Sequence, residues 1–136
     1  MNQFLIFLAA QWPLVGTLLA LVGLFMWNEN RRAGDSISIH QLTFQVNNAN
    51  ALVVDLREPK EFREGHVVDA LNIPFAKIAD RMGELDKTRP LILVDKIGQH
   101  SASVGRTLKQ AGFNVMRLAG GMSEWTASSL PVVKGD

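Results

Sequence analysis

The chain has 136 residues, a formal net charge of +1 and no cysteine. That length holds one modest domain with an appendage. The absence of thiols excludes disulfides, thiolate metal sites and a persulfide carried on the protein, and the small net charge without a basic cluster argues against nucleic acid as a partner.

The first element is apolar. From Phe4 to Trp27, FLIFLAAQWPLVGTLLALVGLFMW carries no charge, and every Lys, Arg, Asp and Glu comes later. As a helix this run extends about 36 Å, against a bilayer core of about 30 Å. The uncharged start MNQ, the long run and the polar flank WNENRRAGDS favour an uncleaved anchor over a signal peptide. Arg31 and Arg32 follow the span with no cation before it, which places the N-terminus outside and the remainder in the cytoplasm. Trp12 and Trp27 suit the interfaces. Pro13 suggests that residues 1–11 lie along the outer surface while the crossing runs from about 12 to 30. Gly16, Ala20 and Gly23 fall near one helical face, a spacing that admits a second helix. The expected contacts of this segment are therefore the lipid bilayer and a membrane-protein partner.

Residues 31–36 read as a short polar linker, too brief to carry the following domain far from the membrane surface. From 37 to 136 the pattern alternates. ISI predicts a strand, HQLTFQVNN a helix, ALVVDL a buried strand, and EPKEFREG a helical turn bounded by Pro59 and Gly65. ALNIP predicts a short strand, FAKIADRM an amphipathic turn or two, and PLILVD a second buried strand. QHSASVGRTLKQAG is a helix closed by Gly112, NVMRL the last strand, Gly120-Gly121 a turn, and MSEWTASS a final helix. Strands alternating with helices predict an α/β fold with a mostly parallel five-stranded sheet.

Charged groups cluster at strand ends. Asp55 and Arg57 close the first buried strand, where such pairs fix loops, and Arg57 and Glu61 have the spacing of a helical ion pair. Gly65 is expected to supply a conformation that other residues resist. His40, His66 and His100 lack ligand spacing, so no metal or other cofactor is expected. Trp125, after the Gly-Gly turn, reads as a core plug. Asp95 stands where a buried strand meets a glycine-containing loop and a helix, an arrangement that often holds an anion. Two readings follow: a nucleophile for aspartyl-phosphate chemistry, or an internal anion that accepts hydrogen bonds from its own loop amides.

These motifs resemble those of the rhodanese domain. DLREPKEFREGHVVDALNIP, with Asp55, Arg57, Glu61, Gly65, His66 and Pro74, is similar to the family's first signature. LAGGMSEW, with Gly120, Gly121 and Trp125, is similar to its C-terminal one. The likeness runs from about Ser38 to Val133, and the anchor adds a narrower resemblance to single-pass, YibN-like rhodanese proteins of bacterial inner membranes. In active members the central strand ends in a cysteine, and loop amides stabilise its thiolate and persulfide. Laid on Gly98, the cysteine position is Asp95, and the loop is Lys96, Ile97, Gly98, Gln99, His100 and Ser101. His100 falls where many relatives have Arg, and Asp69 where a Gly is usual.

A carboxylate is a poor nucleophile toward sulfur and its charge repels thiosulfate, so sulfur transfer by this route needs a thiol from elsewhere. The expectation is a catalytically inactive, membrane-anchored interaction module. Its partners would be membrane proteins, insertion or translocation machinery among them. The alternative is an enzyme subunit or sensor that binds a sulfur- or phosphate-bearing ligand at residues 95–101.

Overall fold

A computed structural model describes residues 1–135, apart from the side chain of Asn30. The expected end of the domain at Asp136 lies outside the described residues. The chain divides into two units, Met1–Arg31 and a second from Arg32 onward.

The first unit belongs to α1, Asn2–Ala33, a helix long and apolar enough to cross a membrane. No break separates residues 1–11 from the rest, contrary to the reading of Pro13. The helix runs through Pro13, and Thr17 Oγ1 donates to the Pro13 carbonyl at 2.8 Å. Proline removes only one N–H, and a nearby hydroxyl helps re-satisfy the backbone it disturbs. Cβ atoms added at Gly16 and Gly23 would meet nothing within 4 Å, so the face they share with Ala20 is open.

The expected linker at 31–36 is also corrected. Arg31–Ala33 are helical and Asp35–Ile37 form β1, which leaves only Gly34, at φ +94°, between the two elements. The strand expected at ISI, residues 37–39, ends two residues earlier for a local reason. Ser38 caps α2 (Ile39–Asn48): its hydroxyl accepts from Gln41 N–H, while the Gln41 side chain accepts from Ser38 N–H. This reciprocal box claims Ser38 and Ile39 for the helix.

The remaining elements are β2 (Leu52–Asp55), α3 (Pro59–Glu64), β3 (Leu71–Asn72), α4 (Ile78–Arg81), β4 (Leu91–Val94), α5 (Ser101–Gln110), β5 (Val115–Leu118) and α6 (Gly121–Ala127). Short 3-10 turns flank α4 at Phe75–Lys77 and Met82–Glu84. The strands form one parallel sheet in the order β1-β5-β4-β2-β3.

Helices cover both faces, which explains why β2 and β4 are apolar throughout. Val54, Leu91 and Leu93 pack with Ile78, Val104 and Leu108 on one face. Val53, Ile92 and Val94 pack with Leu42, Met122 and Trp125 on the other. Each fully buried β4 side chain contributes about 1.5–3 kcal/mol, so this strand anchors whatever hangs from its end.

Candidate functional site

Two neighbouring strands send the chain in opposite directions. After β2 it leaves toward β3, and after β4 toward β5, although β2 and β4 pair directly. A crevice opens where such connections diverge, at the carboxyl ends of the strands. Asp55 ends β2 and Asp95 follows β4 there.

Asp95 is 2% exposed. One carboxylate oxygen accepts the Gly98 N–H; the other accepts His100 N–H at 2.7 Å and Ser101 N–H at 3.1 Å. The loop thus wraps its own anion, and the first N–H of α5 points at that anion too. Gly98, at φ +99°, lets the backbone turn back, and Ser101 Oγ ties the turn by donating to the Gly98 carbonyl at 3.2 Å.

The loop is also fixed from behind. Met122 N–H donates to the Asp95 carbonyl at 2.8 Å and Ser123 N–H to that of Lys96 at 2.9 Å. A Cβ on Gly121, whose φ is +58°, would overlap both the carbonyl and the carboxylate of Asp95. The Gly-Gly pair is therefore a place of close backbone approach to the loop as well as a turn.

Asp55 has separate partners. Its carboxylate receives the Arg57 guanidinium, with Nη2–Oδ2 at 2.7 Å, and Arg57 N–H at 3.0 Å. Arg57 Nη2 also donates to the Gly65 carbonyl at 2.7 Å, and Asn72 Nδ2 donates to the carbonyls of Asp55 and Arg57. The expected Arg57–Glu61 pair is absent because Arg57 precedes α3, so helical spacing does not apply. Glu61 instead lines the crevice. Gly65 is extended at φ 164°, not in a conformation that other residues resist as expected; its constraint is space, since a Cβ would come within 3.1 Å of Val132.

His66 is buried, stacks on Phe62 with ring centroids 3.7 Å apart, and contacts the Phe62 carbonyl through Nδ1 at 2.7 Å. Pro74 is buried and starts the turn carrying Phe75. Trp125 is buried, and its Nε1–H donates to the Pro131 carbonyl at 3.1 Å.

A cavity of ≈ 170 Å³ occupies the crevice, lined by Leu56, Arg57, Glu58, Glu61, Phe75, Asp95, Lys96, Ile97, Gln99 and His100. The His100 ring stacks on Phe75 at 3.9 Å between centroids. A broader groove of ≈ 620 Å³, lined by His40, Gly120, Glu124 and Leu130 among others, does not include Asp95.

One member escaped sequence reasoning. Phe75 had no signal beyond an apolar residue after proline. Arg117 sits in β5, where its Nε donates to the Gly34 carbonyl at 3.1 Å. Burial pushes its guanidinium below the usual range, against the opposing pull of Asp95 and Asp35.

The geometry defines a class. The Rhodanese-like domain family model matches residues 38–128, and the chain belongs to that family. Over 99 residues it is 36% identical to the Escherichia coli (strain K12) protein YibN, covering 70% of this chain and 69% of that one. It is 35% identical over 85 residues to a sulfurtransferase of Allochromatium vinosum, covering 62% of this chain and 79% of that one. Among solved structures, a rhodanese-related protein from Thermoplasma volcanium superposes with a TM-score of 0.67 at 28% identity, covering 73% of this chain and 97% of that one. Within this family the present chain has no cysteine, and a carboxylate stands at the head of its loop.

Proposed function

We propose that this protein is a catalytically silent rhodanese-like domain, held by α1 at the cytoplasmic face of a bacterial inner membrane and acting as a protein-interaction module. Its partners on this reading are other membrane proteins, insertion or translocation machinery among them. One observation carries the proposal: both oxygens of the Asp95 carboxylate are taken by amides of its own loop. An anion already in place leaves no vacancy for thiosulfate or phosphate, and its charge opposes their entry. A carboxylate cannot accept and carry sulfane sulfur as a thiolate does. The small residues Gly16, Ala20 and Gly23, near one face of α1, suit close approach of another helix.

The test is an assay of the full-length chain, purified in detergent, for thiosulfate–cyanide sulfur transfer and for Mg²⁺-dependent phosphatase activity. The expected result is no turnover above buffer. Turnover that vanishes in Asp95→Ala sinks the silent-module reading. Sulfur transfer gained by Asp95→Cys is compatible with it, since that variant restores a thiolate to a loop that retains the amides.

A further inference from the structure

The loop's hydrogen bonds explain Asp95, Gly98 and Ser101, but they do not explain what stands on the rim. Ile97, at the tip, is 50% exposed, and Phe75 is 41% exposed while stacked on the exposed ring of His100. None of these three side chains holds the carboxylate, because the donors are backbone amides. Large apolar groups grouped in the open are costly in water and typify contact surfaces.

The Phe75–His100 stack is also a ridge between two depressions. On one side lies the cavity of ≈ 170 Å³ whose rim carries Glu58, Glu61, Lys96 and Ile97. On the other lies one of ≈ 190 Å³ walled by small side chains, Ala76, Ala79, Ser103 and Thr107.

The charges choose between occupants. Arg57 is committed to Asp55 and the Gly65 carbonyl, and the Asp95 charge is satisfied by amides. Glu58 and Glu61 have no ion-pair partner among the described residues, and Glu58 makes no capping hydrogen bond although it precedes α3. Two free carboxylates therefore face one ammonium, Lys96. The rim attracts cations where an anion-binding site would have to repel them.

We infer that this rim docks a segment of a partner protein in which an apolar side chain adjoins an arginine or lysine. The apolar side chain packs beside the Phe75–His100 ridge and Ile97, and the cation pairs with Glu58 and Glu61. The inference rests on the interaction-module reading and supplies the chemistry of the partner at this face. An anionic lipid surface is the competing occupant, and the two glutamates disfavour it.

The experiment uses the full chain in phosphatidylcholine nanodiscs and measures fluorescence anisotropy of labelled synthetic peptides. The probes alternate Leu with Arg, Leu with Glu, and Ser with Arg. The Leu/Arg peptide is expected to bind best and to weaken with added salt. Binding should fall about three- to tenfold in Glu58→Gln/Glu61→Gln and again in Ile97→Ser, while Glu124→Gln, at an exposed site on α6, leaves it unchanged. Circular dichroism checks that each variant stays folded.

No binding, equal binding of the Leu/Glu peptide, indifference to the rim variants, or equal loss in Glu124→Gln overturns the inference. So does binding to phosphatidylglycerol vesicles with the same dependence on the variants. Sulfur transfer and phosphatase activity are assayed on the same preparation. Turnover there sinks the silent-module reading, whereas absent peptide binding without turnover sinks this inference alone.

Discussion

Asp95 is the residue on which the site turns, and its role can be measured as stability. Three amides lose their acceptor in Asp95→Ala, those of Gly98, His100 and Ser101. Buried donors without partners are expensive, so the variant should lose about 2–4 kcal/mol in denaturant unfolding of the detergent-solubilised chain. A loss below about 0.5 kcal/mol would mean that water replaces the carboxylate without penalty. Asp69 offers a second test. It occupies the left-handed region at φ +62°, at the position where the resemblance to the family's first signature implies glycine. Asp tolerates that region better than most residues. Asp69→Gly should therefore be close to neutral, strain relief offsetting chain entropy, while Asp69→Val should cost about 1–2 kcal/mol by the same unfolding measurement.

At the scale of elements, α5 joins two features that lie far apart in sequence. Its first turn supplies the Ser101 N–H to Asp95, and one turn later Gly105 lies against the backbone of Ala33, the last residue of α1. A Cβ at Gly105 would overlap the Ala33 carbonyl oxygen. Gly105→Ala should thus force the two backbones apart and cost about 1–3 kcal/mol, with faster trypsin cleavage after Arg32 as the local readout. Unchanged stability and cleavage would show that this contact contributes nothing. Spacing alone puts Val104, Leu108 and Ala111 on the core side of this helix. It gives no reason for Gly105, because the reason is a carbonyl 72 positions away in the chain.

For the whole molecule the proposed anchoring through α1 carries an orientation that can be tested. A chain without cysteine gives a clean background for thiol labelling. The proposed orientation expects Gln3→Cys to react with an impermeant maleimide on intact cells and Lys134→Cys to react only after permeabilisation. The opposite pattern would invert the topology and move the Asp95 face out of the cytoplasm. The same orientation places the Ile97 rim where cytoplasmic segments of membrane proteins are available to it.

Alternation of apolar strands and amphipathic helices determined the α/β class from sequence alone, because burial on both sheet faces demands apolar runs such as LVV and LILV. A helix long and apolar enough to cross a membrane and the missing thiol were legible too, being matters of composition. Local cooperation is readable in principle: Ser38 and Gln41 close a capping box that shifts β1 and α2. Only the tertiary structure decided which donors surround each carboxylate. It separated Asp55, held by Arg57, from Asp95, held by amides, and brought Gly121 to the loop from the end of the chain. The physical reason is that hydrogen bonds and close approaches depend on where parallel strands lay their ends, and strand order is not written in any local pattern.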